Sequence, residues 1–182
     1  NYSGYLNLLD VRSCYNESKR ASETLCVAYA QEHGIEVVIP RFSRTFGPTM
    51  KMSDTKALSQ FIKNALKGED IVLKSQGTQR FSYCYVGDAA RALLFLLEKG
   101  KNREAYNVAN PEVLSLKEMA TLIAKANNRE VIIDAKDDLH GRGYSKATLA
   151  VQDIAKISSL NFENRFPLAK GLAHTLKVLQ NL

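Results

Sequence analysis

The sequence predicts an α/β fold. Strand-type runs alternate with helical stretches along the whole chain, the pattern of strands joined by helices in layered α/β proteins. Helical stretches are closed by Gly34, Gly68 and Gly100, and a glycine just past the last periodic residue is a common helix stop. The 182 residues, 45% hydrophobic and 24% charged, have the balance of a globular chain with a core of its own, about one average domain.

The elements follow in order. Strong helix formers with Leu25, Ala28 and Tyr29 at helical spacing predict a helix over Tyr15 to His33. Ile35-Glu36-Val37-Val38-Ile39 reads as a strand closed by Pro40, followed by a loop to Ser53. A second helix is expected over Thr55 to Lys67. Then come a short strand at Ile71 to Lys74, a polar loop at Ser75 to Ser82, and a short strand at Tyr83 to Val86. Asp88 to Lys99 reads as a strongly apolar helix and Ala105 to Ala109 as a strand. Ser115 has Glu118 in capping-box position, so a helix starts there and runs to Ala126, ended by Asn127-Asn128. A strand at Val131 to Ile133, a polar loop at Asp134 to Tyr144, and helical stretches at Gln152 to Ser159 and Leu168 to Leu179 complete the chain.

Composition excludes several classes of function. The chain carries 25 Lys and Arg against 19 Asp and Glu, a net charge of +6. The basic residues are dispersed among acids, so a nucleic-acid surface is not predicted; a modest positive field around an anionic small molecule is. No apolar run approaches the roughly 20 residues that span a bilayer, so no membrane partner is expected. Cys14, Cys26 and Cys84 form no C-x-x-C pair, which argues against a disulfide framework or a zinc site and for a reducing cytoplasm. His33, His140 and His174 share no ligand spacing, so no metal is expected. G-x-G-x-x-G is absent from these residues. The nearest approach, Gly141-Arg142-Gly143, sits in a polar loop and lacks the third glycine.

Tyr15 and Lys19 are the first candidates for chemistry. Four residues apart, they share one helix face a turn from each other. A phenol is a poor base near neutrality. An ammonium roughly 5 Å away at an effective dielectric near 20 favours the phenolate by about 3 kcal/mol. The pair therefore suits proton abstraction from an alcohol.

The stretch Arg12-Ser13-Cys14-Tyr15-Asn16-Glu17-Ser18-Lys19-Arg20 resembles the active-site helix of the extended short-chain dehydrogenase/reductase superfamily. Within it the likeness is to nucleotide-sugar epimerases, dehydratases and decarboxylases, most of all to UDP-glucuronate decarboxylases. Pro40-Arg41-Phe42-Ser43-Arg44-Thr45-Phe46-Gly47-Pro48 is similar to that family's R-x-x-N-x-Y-G-P, with Arg44 in place of Asn and Phe46 in place of Tyr. Gly77 to Asp88 is similar to its G-x-x-x-R-x-F-x-Y-V-x-D, with Arg80 one residue early and Phe81 at the arginine position. Ala105-Tyr106-Asn107-Val108-Ala109 resembles its Y-N-V-G strand.

The resemblance implies the C-terminal part of a Rossmann-type parallel sheet plus a small α/β substrate-binding domain. Residues 1–55 would belong to the cofactor domain and 56–182 mainly to the substrate domain, with about 83–108 returning to the first. It implies NAD as cofactor, Tyr15 as general base, Lys19 on the nicotinamide ribose, and Pro40 and Arg41 beside the nicotinamide. Arg44, Thr45, Met50, Leu58, Phe61, Lys74, Arg80 and Tyr83 would line a nucleotide-sugar pocket, with Arg142 joining from a later loop. The basic members would suit a diphosphate.

The chain does not begin with Met, and the family's glycine-rich loop precedes the active-site helix, so the chain looks like the C-terminal half of a longer enzyme. The family's homodimer helix bundle makes a dimer through the Tyr15–Lys19 helix the expected assembly. Decarboxylation of UDP-glucuronate leads among the expected reactions, with 4-epimerisation or 4,6-dehydration of UDP- or dTDP-sugars as the alternatives. A non-catalytic nucleotide-sugar-binding scaffold is the alternative of another class.

Overall fold

The computed structural model describes residues 7–11, 13–135 and 148–182. Its fold is mixed α/β with mainly parallel pairing, as expected. The order is α1 (Ser13–His33), β1 (Val38–Phe42), β2 (Arg44–Phe46), α2 (Ala57–Leu66), β3 (Ile71–Leu73), β4 (Arg80–Tyr85), α3 (Val86–Lys99), β5 (Glu104–Val108) and β6 (Val113–Ser115). Then follow α4 (Leu116–Ala126), β7 (Val131–Ile133), β8 (Leu149–Ala150), α5 (Ala155–Ser158) and α6 (Leu168–Gln180).

Among the described residues three small sheets form. β1 and β5 pair in parallel, with Pro40 opposite Tyr106. β4 pairs with β2 and β8 in parallel and with β6 antiparallel. β3 and β7 pair in parallel. The first strand begins later than the sequence suggests and runs through Pro40 to Phe42. Proline is tolerated because β1 is paired on one side only among the described residues, so a missing N–H need not break a ladder. After Ser43, whose N–H donates to Val108 O at 3.0 Å, the same chain path continues as β2 and changes sheet.

Two cores lie on either side of β4, because side chains alternate across a strand. Phe81, Tyr83 and Tyr85 enter one core with Phe46, Phe61, Ile62, Met119, Ile123, Leu168 and Leu172, formed largely by α2, α4 and α6. Cys84 faces the other, where Ala92, Leu96, Tyr106, Val108, Ile157 and Phe162 bring together α3, β5 and the α5 region. Burial, with the nearby Asp88 carboxylate adding to it, pushes the Cys84 thiol up to about 12, so this cysteine acts as a small apolar side chain.

Local sequence explains the boundaries. Gly34, at φ 65, takes the left-handed conformation just past α1 and turns the chain toward β1. The expected capping box is present at α4: Ser115 Oγ accepts from Glu118 N at 3.1 Å, and Glu118 Oε2 accepts from Ser115 N at 2.6 Å. Most of the expected loop after Asp134 lies outside the described residues, as does Arg142.

Candidate active site

The link from α1 to β1 spans only residues 34–37, so the helix folds back along the strand and its start lies toward the carboxyl end of β1. In parallel α/β sheets that end is where ligands bind. Tyr15 lies in the first turns of α1, 65% exposed. The Lys19 ammonium stands over its ring, 5.7 Å from the centroid. Both side chains are open to solvent, side by side.

One turn further along the same stripe is Glu23, which the sequence reading did not single out. Its carboxylate receives two hydrogen bonds from Arg41, Nε to Oε1 at 2.7 Å and an Nη to Oε2 at 2.5 Å. The Arg41 hydrogen bond holds the Glu23 carboxyl below its ordinary value, against the opposing effect of burial. The same bond holds Arg41 firmly protonated. Glu23 was discoverable in principle, since its position repeats the Tyr15–Lys19 spacing once more. What sequence alone could not supply was its partner, eighteen residues on in another element.

Three residues past Arg41, Arg44 begins β2 opposite Tyr83. Its guanidinium carbon lies 3.6 Å from the centroid of Phe81, the residue two before Tyr83 on the same face of β4. No carboxylate of a described residue pairs with Arg44. The Tyr83 hydroxyl is buried with no partner among the described residues, and burial pushes the phenol up to about 12, offset in part by Arg44. Tyr83 is thus a neutral hydrogen-bonding group and no base. Thr45 is exposed, and its hydroxyl donates to Ser43 O at 3.2 Å.

The remaining predicted site residues are spread more widely. Met50 and Leu58 are half-buried against the larger core, and Phe61, 6% exposed, is part of that core. Lys74 Nζ pairs with Asp134 Oδ2 at 2.6 Å across the β3–β7 ladder. Arg80 donates to Val113 O at 2.8 Å and faces Glu118 at 3.5 Å. Lys74 and Arg80 therefore already have partners, whereas Arg44 presents its charge on an aromatic face. The structure sets Tyr15 and Lys19 side by side near the start of α1, ties Arg41 of β1 to the same helix through Glu23, and places Arg44 opposite Tyr83 on the β2–β4 ladder.

Asp88, at the end of the Gly77–Asp88 motif, is fully buried and structural. It accepts Arg91 Nη1 at 2.7 Å and the N–H groups of Arg165 and Phe166 at 3.0 Å each, pinning the segment before α6 to the start of α3. Among the described residues no cluster of His, Cys, Asp and Glu could hold a metal, and no helix is long and apolar enough to cross a membrane.

Residues 3–109 match the NAD dependent epimerase/dehydratase family. UDP-glucuronic acid decarboxylase 3 of Arabidopsis thaliana is 39% identical over 176 residues, which cover 94% of this chain and 49% of that protein. The fold is similar to that of UDP-glucose 4-epimerase from Thermotoga maritima, solved with UDP-glucose, at a TM-score of 0.79 and 23% identity, over 92% of this chain and 53% of that one. It is similar too to UDP-glucuronic acid 4-epimerase from Bacillus cereus in complex with UDP-glucuronic acid and NAD, at a TM-score of 0.77 and 24% identity, over 92% of this chain and 52% of that one. The chain thus spans about half the length of the curated relatives it matches.

Proposed function

Because the chain belongs to the NAD dependent epimerase/dehydratase family, we propose that it is the catalytic-helix and substrate-binding portion of an NAD-dependent nucleotide-sugar-modifying enzyme. The observation that carries the reading is Lys19 over the exposed Tyr15 ring, at the start of a helix that folds back toward the carboxyl end of β1. Decarboxylation of UDP-glucuronate is the leading reaction, supported by the 39% identity to a UDP-glucuronic acid decarboxylase along almost the whole chain. 4-Epimerisation or 4,6-dehydration of UDP- or dTDP-sugars is the alternative. All begin with the same step, oxidation of a sugar hydroxyl to a ketone.

In that step Tyr15 takes the hydroxyl proton. The neighbouring Lys19 ammonium would hold the nicotinamide ribose by its hydroxyls. Tyr15 gives the proton back when the hydroxyl is restored. Arg44, poised on Phe81 with no carboxylate partner among the described residues, is the basic group best placed to meet a diphosphate; Tyr83 backs its face of β4 from the core, and Thr45 is an exposed neutral hydrogen-bonding group on the other face of β2. Met50 and Leu58 contribute an apolar border on the side of the larger core.

The residues present fit the nicotinamide half of NAD. An open phenol and ammonium share one helix stripe, and Arg41, next to Pro40 in β1, is hydrogen-bonded to Glu23 on that same stripe. When bound, NAD would supply the hydride acceptor for the alcohol. The same reading expects a homodimer through α1, on which Leu25 and Tyr29 are exposed, and a cytoplasmic setting.

The test uses the full-length protein that carries this chain, incubated with NAD and a panel of UDP- and dTDP-sugars, with products identified by mass and by NMR of the sugar. A pentose product from UDP-glucuronate is expected. An epimer or a dehydrated product would select the alternative. Tyr15→Phe should lower turnover by about 10²–10⁴-fold while sugar-nucleotide binding persists. Binding of nucleotide-sugar without any product from the wild type would instead indicate a scaffold.

A further inference from the structure

We propose that the Glu23–Arg41 pair is a positioning device that sets the rotation of α1 about its own axis and so fixes the direction in which Tyr15 and Lys19 face. The inference rests on the catalytic reading above. Among the described residues, this pair supplies the hydrogen-bonded and ionic side-chain ties from α1 to the chain beyond residue 34. Packing among the described residues does little of that work. The buried residues of this 21-residue helix are Ser13 and Ala30, both small, while Leu25 and Tyr29 are exposed.

The geometry of the pair suits orientation more than adhesion. One carboxylate receives two parallel hydrogen bonds from a planar guanidinium, which fixes angle as well as distance. A single-point contact would let the helix swivel. Tyr15, Lys19 and Glu23 follow one another at steps of four, so each is turned only about 40° from the last. A rotation fixed at Glu23 is therefore fixed at the phenol two turns away. A phenolic oxygen roughly 8 Å from the helix axis moves about 1.4 Å for each 10° of rotation. Misplacement by about 1 Å can cost on the order of 100-fold in rate. Arg41 itself sits one residue before the end of β1, so the carboxyl end of that strand also holds the helix.

The experiment compares wild-type full-length protein with E23Q, R41K, the single variants E23R and R41E, and the reversed pair E23R/R41E. It reads kcat, KM for the nucleotide-sugar, and amide hydrogen exchange. E23Q and R41K should lower kcat tenfold or more with KM changed less than about twofold. Exchange should quicken in residues 13–33 and stay unchanged in β4. The reversed pair should recover at least part of the kcat lost by E23R and R41E singly. Unchanged kcat in E23Q, or no recovery in the reversed pair, overturns the inference while leaving the catalytic reading standing. Faster exchange spread through β4 along with the loss of kcat also overturns it, since the pair would then only support the fold. Absence of turnover in the wild type overturns the catalytic reading and this inference together.

Discussion

The hydroxyl of Tyr85 and Nδ1 of His174 meet at 2.7 Å, joining the last residue of β4 to the middle of α6. The Tyr85 ring also packs on Phe166, with centroids 4.8 Å apart. α6 approaches this ring so closely that a Cβ added to Gly171 would stand 2.9 Å from its Cδ2. Alanine normally favours a helix interior over glycine by about 1 kcal/mol. Here Gly171→Ala should instead destabilise by about 1–3 kcal/mol, because a rigid ring cannot yield as a flexible side chain would. Tyr85→Phe, which removes only the hydroxyl, should cost about 1 kcal/mol. Urea unfolding measures both, and an unchanged or raised midpoint for Gly171→Ala would contradict the packing described.

Asp88 answers a different question, why an acid ends the β4–α3 motif. Its buried carboxylate accepts three hydrogen bonds, one of them from the Arg91 guanidinium. Asp88→Asn keeps the size and loses the charge, and its amide NH2 group offers donors where acceptors are needed. The expected loss is about 3 kcal/mol, read as a lower denaturation midpoint with an unchanged slope. A variant as stable as the parent would show that the segment before α6 is held by something else.

The Glu23 carboxyl has a definite pH signature. Its value in the folded chain is lowered from 4.5, first by the Arg41 hydrogen bond. A lowered carboxyl contributes stability above its unfolded value, and that contribution disappears as the pH falls through the folded value. Docking of α1 should therefore hold at neutral pH and weaken progressively below about 4.5. Amide exchange of residues 13–33, followed against pH and corrected for intrinsic rates, should show this loss in the wild type and a flatter profile in E23Q. Parallel profiles for the two proteins would remove Glu23 as the cause.

Much of the architecture was legible in the chain because local rules and tertiary packing agree there. The strongly apolar stretch near Asp88 to Lys99 became α3, and Ser115 with Glu118 placed the start of α4. The misses have a common cause. β2, β6 and β8 are two or three residues long and owe their existence to neighbours in β4, so no period can announce them. β4 itself extends back through Arg80 to Ser82, which read as polar loop, because β6 and β8 flank those residues. Pro40 looked like a strand end, yet β1 runs past it where the ladder lacks a second partner among the described residues.

Covalent spacing alone was enough to put Tyr15 and Lys19 on one helical stripe, to predict α/β layering and to place a capping box at Ser115, since each depends on residues a few positions apart. Which charges remain available could not be seen until the chain was folded: Arg41 joined Glu23, Lys74 joined Asp134, Arg80 turned to Val113 and Glu118, and Arg44 came to rest on Phe81. The reason is that a side chain's partner is chosen by proximity in space. Such pairs lie eighteen to sixty residues apart along the chain and have no periodic trace.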